Sequence, residues 1–391
     1  MLIASVLSKC TRALRTPSVH RYFQNHAVSS IQVRNDGSVR QLSTNGFNNN
    51  KNDDISSSID TRMDDNEAKR TVRDAYTMSV RQFQQQEISE PDWSAAHLLA
   101  SALNLPWSNG FSQIQQQAAN NNNRNLLLEQ VLTKNEWDTY QSMVQRRLQD
   151  EPLQYILGKW DFLNYEQIVI RPPLLCPRPE TEELVELVRN DLKQKQQQSS
   201  PLRLLEIGAG TGVIGISLAD MIPSATVIAM DIEPVAVQTS LENAKLILGS
   251  RFHKRYSVVE CSAQDYTIAS EGSTAKANEQ KQQFDLVVSN PPYIPEPDMS
   301  TLSRDVVEYE SDQALCGGKD GMDVIRVIVQ KWATEWGKKH DSVCWMEVDP
   351  THPGLLHTWL EQRQELGVFV DSVHKDLSGR DRFVKLAFRK Q

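Results

Sequence analysis

The run Leu202-Arg203-Leu204-Leu205-Glu206-Ile207-Gly208-Ala209-Gly210-Thr211-Gly212-Val213-Ile214-Gly215 passes from a short apolar strand into a glycine-dense turn. An apolar helix follows, through Met221. After such a strand the backbone must turn sharply and approach a ligand closely. A Cβ at Gly208, Gly210 or Gly212 would obstruct that approach. A second strand, Thr226–Met230, ends at Asp231, where a carboxylate can accept both hydrogen bonds of a ribose diol. Ligands of open α/β sheets sit beyond the strand ends, where the strand order switches.

The pattern continues in both directions. Glu180–Leu192 reads as a helix with Leu184, Val185, Leu187, Val188 and Leu192 turned inward. Downstream come a helix over Val235–Leu248, strands at Val258–Glu260 and Phe284–Ser289, and a helix over Val324–Trp336. A strand at Val343–Val348, a helix over Leu355–Leu366 and an antiparallel pair, Phe369–His374 with Phe383–Arg389, complete it. Strands alternating with helices predict an α/β domain whose mostly parallel sheet is covered on both sides.

Two ligands fit the glycine signal. Gly210, Gly212 and Gly215 satisfy GxGxxG, and Asp231 stands where a nicotinamide enzyme holds its ribose. Glu206 opens an E-x-G-x-G-x-G arrangement instead, which disfavours a pyrophosphate and suits the amino group of a methionine moiety. Asp265, in the turn after the third strand, is placed to meet an adenine amino group. From this half of the chain both S-adenosylmethionine and a dinucleotide stand.

The fourth strand ends in Ser289-Asn290-Pro291-Pro292-Tyr293. Two prolines fix φ and carry no N–H, so the turn is stiff and offers carbonyl acceptors. The Asn290 side-chain carbonyl adds an acceptor beside that of Pro291. Two converging acceptors suit a planar NH₂ group, whose nitrogen is a poor nucleophile until its hydrogens are held. Tyr293 can pack on a flat acceptor group. Catalysis would then come from orientation and preorganised dipoles, with neither a metal nor a strong general base.

These motifs together resemble the N5-glutamine methyltransferases of peptide chain release factors, in particular the mitochondrial branch. The resemblance spans residues 72–391. It rests on Pro152-Leu-Gln-Tyr155-Ile-Leu-Gly158, Arg178-Pro179-Glu180-Thr181-Glu182, the Glu206–Gly212 loop and Asn290–Tyr293. Glu308-Tyr-Glu310, Ala314–Gly321 and Gly379-Arg-Asp-Arg382 extend it. It implies a seven-stranded class I methyltransferase sheet with an N-terminal helical domain. It implies S-adenosylmethionine as donor and the glutamine of a Gly-Gly-Gln tip as acceptor. On this reading Asn290, Pro291 and Tyr293 are catalytic. Glu206, Gly208, Gly210, Gly212, Asp231, Asp265 and Asn290 hold the donor. Arg178, Glu180, Glu182 and Asn290–Tyr293, with Pro292, border the acceptor. Trp345-Met-Glu347-Val348 departs from the common bacterial pattern, and Ser311 stands where family members often have proline.

Ahead of this region, residues 1–47 carry Lys9, Arg12, Arg15, Arg21, Arg34 and Arg40 against one acid, Asp36. An arginine-rich, acid-poor leader reads as a mitochondrial transit peptide, which points to the matrix. Residues 48–71 read as a polar linker. Residues 72–150 read as a helical domain that grips the release factor. Its helices fall at 72–88, at 94–105 with Ser94 as cap, and after the Thr133/Glu136 capping-box pair. Residues 151–176 read as a connector with paired strands around Leu163–Asn164, and 177–391 as the catalytic domain. The tracts Gln113–Asn125, Gln194–Ser200 and Thr267–Gln283 are polar and read as surface insertions.

The 391-residue chain has a net charge of −8, so no general nucleic-acid footprint is expected. No apolar run is long enough to cross a membrane. Five cysteines without CxxC spacing suggest neither zinc nor a disulfide framework. A monomer is expected. Two other readings remain: an adenine N6 methyltransferase, which can share the Asn-Pro-Pro-Tyr turn, and a methyltransferase-like binding protein without turnover.

Overall fold

The computed structural model describes residues 70–107, 110–119, 127–195, 201–268, 283–338 and 341–390. The expected leader, nearly all of the linker and much of the three polar tracts lie outside the described residues. From Thr71 onward the chain folds as one unit.

Helix α1 (Val72–Gln85) begins at a capping box. Thr71 Oγ1 accepts the Asp74 N–H while Asp74 Oδ2 accepts the Thr71 N–H, so two donors at the helix start are satisfied. Helix α2 (Pro91–Ala102) starts earlier than expected, because proline has no N–H to lose in the first turn. Ser94 is therefore not a cap. It is buried within α2, and its hydroxyl accepts a hydrogen bond from Arg147 Nε at 3.3 Å.

Helix α3 (Gly110–Ala119) corrects the reading of Gln113–Asn125 as a tract that packs no core. Phe111, Ile114 and Ala118 recur at steps of three and four among the glutamines. Ile114 is fully buried, and the other two pack against its cluster. Helix α4 (Lys134–Arg147) has the expected Thr133–Glu136 capping box. A short helix, α5 (Leu153–Leu157), adds Leu153 and Ile156 to the core formed by Val72, Leu98, Tyr140 and Val144. The helical core thus runs past the expected boundary at residue 150.

Strands β1 (Lys159–Phe162) and β2 (Tyr165–Val169) form an antiparallel hairpin that turns at Leu163 with φ of 53°. Helix α6 (Pro179–Lys195) leads to the main sheet. Its strands are β3 (Leu202–Ile207), β4 (Ala225–Asp231), β5 (Tyr256–Glu260), β6 (Leu286–Ser289), β7 (Val343–Glu347), β8 (Val368–Lys375) and β9 (Asp381–Phe388). Their order is β5-β4-β3-β6-β7-β9-β8, with β9 antiparallel to both neighbours and the rest parallel.

Alternation along β3 supplies both layers: Leu204 enters one core and Leu205 the other. α6, α7 (Val213–Met221) and α8 (Pro234–Leu248) pack on the first face. α9 (Asp323–Lys331), its π-helical extension Trp332–Trp336 and α10 (His352–Glu361) pack on the second. Trp332 and Trp336 are both fully buried there. The chain runs outward from β3 through β4 to β5, then returns to lay β6 on the other side of β3. That reversal places a crevice at the carboxyl ends of β3, β4 and β6.

Candidate active site

A cavity of about 430 Å³ opens at this crevice. Its walls come from the loop after β3 (Gly208–Thr211), the end of β4 (Asp231–Glu233), the turn after β5 (Cys261–Gln264) and the loop after β6 (Asn290–Pro292). Leu174, Leu175, Pro177 and Thr181 close one side, and Ser311, Gln313 and Ala314 another. The size suits a small organic ligand.

The glycine loop is held by its own backbone. The N–H groups of Gly208 and Ala209 both donate to the Met230 carbonyl, and that of Gly212 donates to Ala209. The Gly210 N–H donates to Asp231 Oδ2 at 2.8 Å. Gly208, Gly210 and Gly212 all have positive φ, which L side chains rarely adopt. Gly212 also leaves no room for a Cβ, which would stand 2.8 Å from Ser240 Cβ. Four loop N–H groups are therefore spent inside the protein, and a carboxylate borders them. A pyrophosphate would find few donors and a like charge. A cationic sulfonium ligand with a ribose diol fits better.

Asp231 meets that description. Its second oxygen accepts the Glu233 N–H at 2.9 Å, so the carboxylate has a fixed orientation. Burial raises its pKa, and the N–H groups of Gly210 and Glu233 oppose that shift.

Glu206 lies elsewhere. It is fully buried behind the loop, where a Cβ at Gly215 would stand 2.2 Å from Oε2. It does not line the cavity. Burial pushes its carboxyl up to about 8, and the nearby Gly215 N–H and Tyr256 hydroxyl offset this only in part. Neither oxygen has a donor at full hydrogen-bonding geometry among the described residues. Asp265 is exposed, with its carboxylate taken by Ser262 Oγ at 2.6 Å; its neighbours Cys261–Gln264 form the wall instead.

Asn290 stands at the junction of the two halves. Its Nδ2 donates to Thr181 Oγ1 at 3.1 Å, while its Oδ1 is buried with no partner among the described residues. Buried carbonyls are rarely left so, and Asn290 is one of the residues that line the cavity. Pro291 and Pro292 flank it. Tyr293 is turned away from the cavity, and its hydroxyl donates to Glu347 Oε1 at 3.2 Å. The loop is buttressed from below: Gly317 N–H donates to Ile294, and a Cβ on Gly317 would come within 2.7 Å of the Pro292 carbonyl.

The Arg178–Glu182 element does less direct work than expected. Arg178 donates to both oxygens of Glu310, at 2.8 and 2.7 Å, joining two of the motifs read in sequence. Glu180 accepts from Arg380 at 3.2 Å, and Glu182 accepts the Leu163 N–H of the hairpin turn. None of the three lines the cavity, whereas Thr181 between them does. Thr181 borders the site as the Arg178–Glu182 motif implies, whereas no motif gives Glu347 a role. They are 166 positions apart, and only the packing of α6 against the end of β7 joins them.

Comparison with known families agrees with this arrangement. Residues 74–158 match the PrmC N-terminal domain, and residues 185–309 match the methyltransferase small domain. The human MTRF1L release factor glutamine methyltransferase is 37% identical over 270 residues, which cover 67% of this chain and 75% of that protein. The release factor glutamine methyltransferase of Koribacter versatilis is 30% identical over 263 residues, covering 67% of this chain and 81% of its own. That of Leptospira interrogans is 31% identical over 260 residues, covering 66% and 82%. Helical domain, sheet order, glycine loop and Asn-Pro-Pro-Tyr turn thus occur together with this similarity, and the chain belongs to the release factor glutamine methyltransferase family.

Proposed function

We propose that this chain transfers a methyl group from S-adenosylmethionine to the side-chain nitrogen of the Gly-Gly-Gln glutamine of a mitochondrial peptide chain release factor. The observation that carries the reading is the buried, unpartnered Oδ1 of Asn290, a residue that lines the cavity. That acceptor matches an acceptor substrate bearing N–H groups, and a primary amide brings two.

S-adenosylmethionine would supply the electrophilic methyl carbon, its carbon–sulfur bond breaking so that the electron pair stays on sulfur in a neutral thioether. The rest falls to the chain. Asn290 Oδ1 and the Pro291 carbonyl accept the two amide hydrogens, which fixes the nitrogen and favours pyramidal geometry as its lone pair forms the new bond. The surplus proton leaves to solvent afterwards, so no strong base is needed. Asp231 holds the ribose, and the apolar side chains around the loop exclude water. Orientation and fixed dipoles provide the acceleration.

Residues 72–150, with the α5 turn, would hold the body of the factor while only its tip enters the cavity. The arginine-rich leader supports import into mitochondria, and the matrix is the compartment that fits a release factor there. A fluorescent protein fused behind residues 1–47 should reach mitochondria; a diffuse cytosolic signal would contradict that address.

The test of the reaction is direct. Purified enzyme, S-adenosylmethionine and a recombinant mitochondrial release factor should yield one added methyl group, placed by fragmentation on the Gly-Gly-Gln glutamine. A DNA or RNA duplex offered in parallel should stay unlabelled. Label on adenine with none on the factor would overturn the assignment.

A further inference from the structure

Behind Asn290 lies a chain of hydrogen bonds contributed by four parts of the fold. Asn290 Nδ2 donates to Thr181 Oγ1 at 3.1 Å, and Thr181 Oγ1 donates to Glu347 Oε2 at 2.9 Å. Tyr293 Oη donates to Glu347 Oε1 at 3.2 Å and accepts from Arg382 Nη1 at 3.3 Å. Arg382 Nη1 also donates to the Val348 carbonyl. Thr181 and Glu347 are almost completely buried, at 4% and 1% exposure.

We infer that Thr181 and Glu347 are positioning residues that fix which end of the Asn290 amide faces the acceptor. The argument is one of hydrogen-bond polarity. A carboxylate only accepts, so Glu347 requires both of its neighbours to donate. Thr181 has a single hydroxyl hydrogen. Once that hydrogen is committed to Glu347, the hydroxyl can only accept from Asn290. Asn290 must then turn its NH₂ to Thr181 and its C=O to the cavity. Arg382 can only donate, and it orients the Tyr293 hydroxyl toward Glu347 in the same sense.

The flipped amide breaks this pattern. It would turn two donors toward an incoming NH₂ group. Its Oδ1 would demand the Thr181 hydrogen and leave the buried Glu347 Oε2 without that donor. Unmet buried acceptors are costly, so the network selects one orientation. Thr181 and Glu347 therefore act through Asn290, although Thr181 also borders the cavity. Burial raises Glu347 to about 7, with its bond from Thr181 opposing the shift, so this polarity belongs to the ionised carboxylate and turnover is compared above that pH.

This inference rests on the proposed glutamine methylation, and the test separates the two. Methylation of the release factor is followed for wild type, Thr181→Val, Thr181→Ser, Glu347→Gln, Asn290→Ala and the Thr181→Val/Asn290→Ala double variant. Donor affinity is measured calorimetrically for each as the check on folding. Thr181→Val, which keeps shape and loses the relay, should lower kcat by about tenfold or more. KM for the factor and Kd for the donor should stay within about twofold, a split that general loosening would not produce. Thr181→Ser should restore kcat to within about threefold of wild type, because the hydroxyl is what matters. Glu347→Gln can donate as well as accept, so it should also lose turnover without losing donor binding. In the Asn290→Ala background, Thr181→Val should cost nothing further, since no amide is left to orient.

Turnover of Thr181→Val or Glu347→Gln equal to wild type would overturn the inference. So would an equal loss from Thr181→Val whether or not Asn290 is present. If wild type itself leaves the factor unmethylated, the proposed function fails, and the inference falls with it.

Discussion

The Gly210 N–H donates to Asp231 Oδ2 across 2.8 Å, so one carboxylate ties the glycine loop to the end of β4. The same group faces the cavity where a ribose would lie. Asp231→Ala should therefore harm the site twice, by removing the ribose acceptor and by releasing the loop. Calorimetry should show S-adenosylmethionine binding weakened by about 2–3 kcal/mol, the scale of charged hydrogen bonds. Wild type should bind NAD negligibly, because the loop N–H groups that a pyrophosphate needs are already used. Preferential NAD binding would contradict the donor assignment.

Asn290→Ala should separate binding from chemistry. Donor affinity should change little, while turnover falls by roughly 100-fold or more, the cost of one positioned transition-state contact at about 3 kcal/mol. Asn290→Asp is a sharper test. It keeps an acceptor but adds negative charge beside the sulfonium, which favours the charged donor over a transition state in which that charge disperses. Its donor Kd should hold or tighten while kcat drops. A variant with kcat near wild type would remove Asn290 from the chemistry.

Local features of this site were legible in the sequence, and features assembled by packing were not. The strand, glycine turn and helix at 202–221 are contiguous, so their meaning is carried by spacing alone. The same holds for Asn290–Tyr293, whose prolines announce a stiff turn. Thr181 and Glu347 lie 166 positions apart, and no local pattern joins them. Glu206 neighbours the loop in sequence, which suggests a ligand contact, but its side chain lies behind that loop, against Gly215. Helix α3 was hidden because glutamine dominates its composition. Glutamine is nonetheless a good helix former, and Phe111, Ile114 and Ala118 suffice to give it a buried edge.

Gly317 gives a prediction about support rather than contact. A Cβ there would meet the Gly321 carbonyl at 2.4 Å and the Pro292 carbonyl at 2.7 Å. Both obstacles are backbone, so neither can rotate aside. Gly317→Ala should push the Asn290–Tyr293 turn out of place or cost about 1–3 kcal/mol of stability, the usual range for overpacking. Urea denaturation together with turnover will register either outcome. A variant with unchanged stability and unchanged kcat would show that the turn does not depend on this buttress.

Glu206 offers a test in pH. Its folded pKa, raised by burial to about 8, lies above the ordinary value of 4.5. The folded state therefore holds a proton that the unfolded state releases. Stability from this group is fully present below pH 4.5 and is lost as pH rises toward about 8. Urea midpoints taken between about pH 5 and pH 8 should fall for wild type, and Glu206→Gln should flatten that fall because its amide cannot ionise. Some slope will persist, since burial also raises Glu183 and Glu347 to about 7 with the same sign. Donor binding supplies the second readout. Glu206 lies behind the loop and outside the cavity, so Glu206→Gln should keep its S-adenosylmethionine affinity to within about threefold, far less than the loss of a charged hydrogen bond. A large loss of affinity with an unaltered pH slope would mean that the carboxylate is ionised and reaches the donor's amino group. The placement behind Gly215 would then be wrong.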